Sequence, residues 1–256
     1  MLSRIKTISG FTAQEAIRSR FWILLGAVLL AAFLLTGIAG ASAVTEAAEI
    51  RTVLFATMLR LSGVFLVALF TASSIAREQS DKGSEMVLSL AAPRYAYYLG
   101  KLGGYAAVAL LVALIFTLAL FLFAPVVRSL LWGATLFCEL LIIVSMTLLC
   151  TLTFSQIPAA VMTVTGFYLL ARMIDAIRLM ARDPLTGTGT IVSDLIARLV
   201  DGLAYLLPDL GKFAHSDWLI YQTASGAEMA LILAQTGIYV GLLIAAGLFD
   251  LYRKNF

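Results

Sequence analysis

The sequence predicts an all-α integral membrane protein with six transmembrane helices in a single transmembrane domain spanning residues 1–256. Three observations lead there. The 256-residue chain is 61% apolar and only 13% charged, far from the make-up of a water-soluble domain. Its apolar residues gather into runs that match the about 20 residues needed to cross a roughly 30 Å hydrocarbon layer. Its Lys and Arg residues concentrate on one set of connections, as orientation in a membrane requires.

Taken in order, the chain opens on a segment in which Leu2, Ile5, Ile8, Thr12 and Ala16 share one side of a helical wheel. Arg4, Lys6, Gln14, Glu15 and Arg18 share the other. That pattern predicts an amphipathic helix in the cytoplasmic interface, its basic face toward lipid headgroups. The first span, residues 21–45, is free of charge. Although the small residues 40–43 (GASA) resemble a signal-peptidase site, the apolar run before them is too long for a signal sequence and reads as an uncleaved anchor.

The second span, residues 52–76, is interrupted only by Arg60. After a charged connection, the third covers about residues 98–125 and is charge-free from Leu102 onward. The fourth, residues 129–153, carries only Glu139. The apolar stretch beyond it is too long for one span, and the turn chemistry of 155–158 (SQIP) divides it from a fifth, 159–181, which ends with Arg172, Asp175 and Arg178. A sixth span covers 229–250.

Between spans five and six, residues 183–190 (DPLTGTGT) read as a linker. Val192, Leu195, Ile196, Leu199, Val200, Leu203, Leu206 and Leu207 then fall on one helical face, opposite Asp194, Arg198 and Asp201. Pro208 ends the pattern. This outer helical segment, 190–222, is too charged to span and too apolar to float, so it lies in the outer interface or caps the bundle.

With the N-terminus inside, ten of the 18 basic residues fall in cytoplasmic segments: Arg4, Lys6, Arg18, Arg20, Arg77, Lys82, Arg94, Lys101, Arg253 and Lys254. Five fall outside and three within spans. Both termini are therefore expected in the cytoplasm, in a multi-pass protein of the cytoplasmic (inner) membrane. The net charge of +3 is an orientation signal and carries no nucleic-acid footprint.

Several kinds of chemistry are excluded or unsupported. A single histidine, His215, rules out a two-histidine metalloprotease helix, and no Cys/His cluster has metal-ligand spacing. His215 reads as an ordinary interfacial polar residue. Cys138 and Cys150 lie 12 residues apart on one helix, roughly 18 Å at the helical rise, and cannot bridge to each other. There is no G-x-S-x-G elbow, and Gly100-Lys101 lacks the rest of a Walker A loop. No catalytic, cofactor or metal residue is assigned, and an enzyme is not expected.

Charges inside spans are costly, so each asks for a partner. Counted from the outer ends, Arg60 is about eight residues deep and Glu139 about ten, similar depths at the helical rise, which predicts an ion pair. Arg172, Asp175 and Arg178 follow i, i+3 spacing and are expected to pair along one face. Small residues at Gly37 and Gly40, at Gly100, Gly103 and Gly104, and at Gly237, Gly241 and Ala245 mark packing faces.

The connection from Arg77 to Lys101 is the most charged run of the chain, yet it encloses SEMVLSLAA, residues 84–92. That helix-forming run, with Met86, Val87, Leu88 and Leu90, is too short to insert. Apolar side chains rimmed by charge suggest a docking surface for another protein.

Here the chain resembles the permease subunits of type-2 ABC exporters, especially the stand-alone six-span permeases. The shared pattern is Glu78 at the end of span two, Gly83, a leucine-rich short helix with Leu88 and Leu90, Pro93-Arg94, and Tyr98, Gly100 and Lys101 entering span three. The six spans, the amphipathic N-terminal helix and the outer helix are also similar, so the resemblance covers nearly the whole chain. It departs at Ser84-Glu85, where the family has Thr-x-Glu, and at Ala92. Residues 206–219 (LLPDLGKFAHSDWL) further resemble a segment in the branch that includes the nitrous-oxide-reductase maturation transporter.

The resemblance implies that residues 84–92 form a coupling helix seated on a separate ATPase, with Glu78, Gly83, Glu85, Met86, Leu88 and Arg94 at the contact. It implies two ATPase subunits binding ATP and Mg, no cofactor on this chain, a second copy of this permease or a related one, and room for an outer-side or periplasmic accessory protein. The absence of a dense charged ring favours a hydrophobic or amphipathic substrate. Two other readings stand beside this one: an ion-gradient-driven secondary transporter using Arg60 and Glu139, and a membrane assembly factor whose partner surface is the outer helix.

Overall fold

The computed structural model of the protein describes residues 2–42, 47–80, 94–154, 156–182, 191–214, 218–219 and 226–253. Among them the architecture is all-helical: α1 (Leu2–Arg18), α2 (Phe21–Ser42), α3 (Ala47–Ser80), α4 (Arg94–Leu120), α5 (Val126–Thr153), α6 (Ile157–Arg182), α7 (Ile191–Leu206), α8 (Leu210–Phe213) and α9 (Gly226–Arg253). Six of these, α2 through α6 and α9, are long and apolar enough to cross a membrane. The predicted coupling helix 84–92, with Gly83, Glu85, Met86 and Leu88, lies outside the described residues, as do the linker 183–190 and His215.

The helix limits follow from local chemistry. α3 extends through Arg77 and Glu78 to Ser80, past the apolar run, because the charged residues that leave the hydrocarbon remain good helix formers. α4 stops at Leu120, earlier than the expected end near 125. The chain tightens through turns in which the Phe123 and Ala124 amides both donate to the Leu120 carbonyl at 3.0 Å. Pro125 then takes an extended conformation, φ −57° and ψ 146°, and opens α5. At the next corner Phe154 is extended (ψ 135°) and closes α5 by donating its amide to Cys150 at 2.8 Å. Pro158 falls in the first turn of α6, where its missing N–H leaves no helical bond unmade.

α5 is the hub. It packs against α3, α4, α6 and α9, and 78% of its most apolar window is buried, against 11% for α9. In a bilayer, lipid solvates outward apolar side chains, so exposed leucines on α2 and α9 are expected rather than anomalous. Both cysteines are free and buried on α5.

The apolar stripe of the N-terminal helix is covered by α4. Ile8 of α1 sits over Gly100 of α4, and Thr12 over Gly104 with the Ser9 carbonyl alongside. Thr12 and Ala16 are buried. The missing side chains at these two glycines let α1 and α4 approach closely. The other two predicted small-residue faces behave differently: on α2, Gly40 lies against the Arg51 side chain, while among the described residues nothing lies within 4 Å of the positions where Gly37, Gly237 or Gly241 would carry a Cβ. That face of α9 meets no other described residue.

The segment between α6 and α9 divides in two. Asp201, on the charged face of α7, turns toward α6, while Leu199, Leu203, Tyr205 and Leu206 face outward. Past Pro208 the chain turns in again and buries Leu210, Phe213, Trp218 and Leu219.

Candidate functional site

Two polar clusters stand out against the apolar bundle. The first is central. Arg60 of α3 and Glu139 of α5, with side chains 1% and 0% exposed, form an ion pair at 2.6 Å. Arg60 Nη1 also donates to the Phe213 carbonyl at 3.0 Å, and Nη2 donates to the Trp132 carbonyl at 3.3 Å and to Thr135 Oγ1 at 3.0 Å. These four acceptors match the four N–H groups of the two terminal nitrogens. The guanidinium also stacks over the Trp132 ring, 5.1 Å from its centroid. A charge this buried is tolerated only with that degree of satisfaction.

The opposite carboxylate oxygen of Glu139 takes Arg172 of α6 at 3.5 Å, and Arg172 also donates to the Tyr168 hydroxyl at 3.3 Å. One carboxylate therefore serves two guanidiniums, leaving the cluster with an excess positive charge at the junction of α3, α5 and α6. A narrow cleft lined by Thr57, Arg60, Trp132, Arg172 and Ala214 leaves space for about one water molecule. Glu139 does not line it.

The expected ladder along α6 does not form. Among the described residues no ion pair joins Arg172, Asp175 and Arg178 to one another, because both arginines reach carboxylates on other elements. Arg172 turns inward to Glu139. Arg178 Nε donates to Asp201 of α7 at 2.6 Å. Asp175 lies against Asp209, which pairs with Lys212 at 2.7 Å; that hydrogen bond holds the Lys212 ammonium above the ordinary lysine range.

The second cluster lies at the base of the connection 81–93. Glu78, near the end of α3, pairs with Lys101 of α4 at 2.5 Å, the two side chains 19% and 9% exposed. The two ends of the connection are thereby tied. Glu15 of α1 accepts a hydrogen bond from Ser74 of α3 at 2.9 Å, and Tyr105 of α4 donates to Ser74 at 3.0 Å. Arg77 approaches Glu15 at 3.9 Å. α1, α3 and α4 are thus laced together below the connection. Arg94 at the start of α4 donates to the carbonyls of Leu251 and Tyr252 at 2.8 and 3.2 Å, capping the C-terminal end of α9.

Sequence reasoning did not find Trp132, Thr135 and Phe213 around Arg60 or Tyr168 beside Arg172, nor Glu15, Ser74 and Tyr105 at the second cluster. Two of those contacts, at Trp132 and Phe213, use a backbone carbonyl, for which side-chain identity holds no signal. Glu15 was legible only as a polar residue on the solvent side of α1. Of the residues implied for an ATPase contact, Glu78 and Arg94 are described and both are engaged within the chain. No protein-family model matches this chain, and no curated protein matches it significantly.

Proposed function

We propose that this chain is the membrane-spanning permease subunit of an ATP-driven ABC exporter, acting in the cytoplasmic membrane with two ATPase subunits and a second permease. The reading is carried by the pattern from Glu78 through Gly83, Leu88, Leu90 and Pro93 to Lys101. The Glu78–Lys101 ion pair supports it, since it ties together the two helices from which a coupling helix at 84–92 would project.

In this mechanism, closure of the ATPases on ATP pushes on residues 84–92. The push passes through the Glu78–Lys101 tie into α3 and α4, and α1 moves with them through Glu15, Ser74 and Tyr105. α5 touches α3, α4, α6 and α9, so a shift of α3 and α4 repacks the bundle as a whole. ATP then selects between two arrangements of the same helices by its differential contact with each. Glu85 and Met86 supply the charge and the apolar anchor of the docking surface. The substrate is hydrophobic or amphipathic, in keeping with spans that present no dense charged ring.

The ion-driven reading is weaker on the geometry of its own residues. A relay needs a titrating group with access to water, and Glu139 is fully buried, shared by two guanidiniums and set back from the cleft. Affinity purification of the tagged full chain in mild detergent tests the proposal. A Walker-motif ATPase in near-equal amount with the parent, and its loss with Glu85→Arg, is the expected result. Recovery of the chain alone in both forms overturns it.

A further inference from the structure

Where α1 turns into α2, a cavity of about 500 Å³ opens between α2 and α3. Its rim carries three arginines, Arg18, Arg20 and Arg77, and no acidic residue lines it. Its walls are apolar: Phe21 and Leu24 from α2, and Leu66, Leu69 and Phe70 from α3. The Phe21 and Phe70 rings, 4.8 Å apart, close its floor.

The charge state of the rim is unusual for this end of the chain. Lys101 has Glu78 as an ion-pair partner, and Arg94 has the α9 carbonyls. Arg18 and Arg20 have no acidic partner among the described residues, and Arg77 has only Glu15, at 3.9 Å. The serine hydroxyls on the rim do not compensate, since Ser19 donates to the Ala16 carbonyl and Ser73 to the Phe70 carbonyl. Trp22, adjacent in α2, donates its indole N–H to the Ala16 carbonyl at 2.9 Å, holding the elbow in place at the level where tryptophan favours the membrane boundary.

We propose that this cavity binds one anionic glycerophospholipid, with its phosphate on Arg18, Arg20 and Arg77 and an acyl chain running along Leu24, Leu66 and Leu69. Charge complementarity selects the headgroup, because three arginines line one opening and the long Arg77–Glu15 contact is the one acidic partner they have among the described residues. The apolar slot selects a lipid over a free phosphate, which has nothing to place against leucine. The span continues from Leu66 and Leu69 into the hydrocarbon layer, so the chain of a bound lipid leaves the slot in the direction of the bilayer. The bound lipid would fasten the α1–α2 elbow to α3 through Arg18, Arg20 and Arg77.

Native mass spectrometry of the detergent-purified full chain, titrated with palmitoyl-oleoyl phosphatidylglycerol and separately with the matching phosphatidylcholine, tests this. The parent is expected to retain one phosphatidylglycerol in preference to phosphatidylcholine. With about a five-fold contribution per arginine near an anionic lipid, R18Q/R20Q should weaken retention roughly 25-fold, while R198Q on α7 leaves it unchanged. Leu69→Trp, which fills the slot and keeps every charge, should also displace the lipid. Equal retention of the two lipids, unchanged retention by both R18Q/R20Q and Leu69→Trp, or displacement of the lipid by millimolar inorganic phosphate would overturn the proposal.

Discussion

Glu139→Gln removes one negative charge from the middle of the bundle at almost constant volume. In the parent, Glu139 holds Arg60 at 2.6 Å and Arg172 at 3.5 Å. The variant leaves Arg60, 1% exposed, with three neutral oxygens and no counter-charge. Removing one partner of a fully buried pair costs about 3–5 kcal/mol, because the remaining charge stays desolvated. Arg172→Gln should cost at most about 1 kcal/mol, since that guanidinium is 20% exposed and its contact is long. Replacing the pair outright, Arg60→Met with Glu139→Leu, should recover more than half of the loss, as an apolar pair of similar volume avoids the desolvation penalty. Equilibrium unfolding in mixed micelles, followed by tryptophan fluorescence, reads all three. A Glu139→Gln variant within about 0.5 kcal/mol of the parent would refute the reasoning, since that is the range of an uninvolved surface change. The double variant carries a second reading. If its stability returns and ATP-driven activity returns with it, the pair is structural; stability without activity would place the cluster in the transport path.

At the α1–α4 contact, Gly104→Leu must displace Thr12, and overpacking of this kind costs about 1–3 kcal/mol; faster proteolysis within residues 2–18 is the expected sign. Glu78→Gln leaves Lys101 buried and unpaired, so ATP-driven activity should fall, and the exchange Glu78→Lys with Lys101→Glu should restore part of it; unchanged activity in the single variant would remove the tie from the mechanism. Arg94→Gln removes two charge-assisted bonds to the end of α9, together worth about 1.5–3 kcal/mol. Its expected signature is faster hydrogen exchange over residues 249–253, with helix α3 unaffected.

The six long helices were legible because their physics is one-dimensional: a run of apolar residues either reaches across hydrocarbon or does not. Proline at 158 marked a corner for the same reason, and the matched depth of Arg60 and Glu139 carried enough information to pair them. Arg172 shows where this stops. Its spacing to Asp175 and Arg178 satisfies a helical ladder, yet a deeper carboxylate, already paired with Arg60, also takes the Arg172 guanidinium through its second oxygen. The α1 stripe was readable as a buried face, but whether lipid or Gly100 and Gly104 would cover it depends on a helix 90 residues away in the chain. Gly237 and Gly241 carry the same small-residue pattern without a neighbour among the described residues, so the pattern alone does not say which surface is covered. Phe213 reaches Arg60 through its carbonyl, an atom every residue has.

The central claim is that residues 84–92 seat on an ATPase. Photo-crosslinking tests it directly, with a photoreactive amino acid at Met86, at Leu88 and, as a comparison, at Leu206 on α7, each illuminated in intact membranes. The account predicts a crosslink from Met86 and Leu88 to a nucleotide-binding ATPase, intensified by a non-hydrolysable ATP analogue, and none from Leu206. Crosslinks from Met86 and Leu88 to lipid or to this chain alone, indifferent to nucleotide, would contradict it.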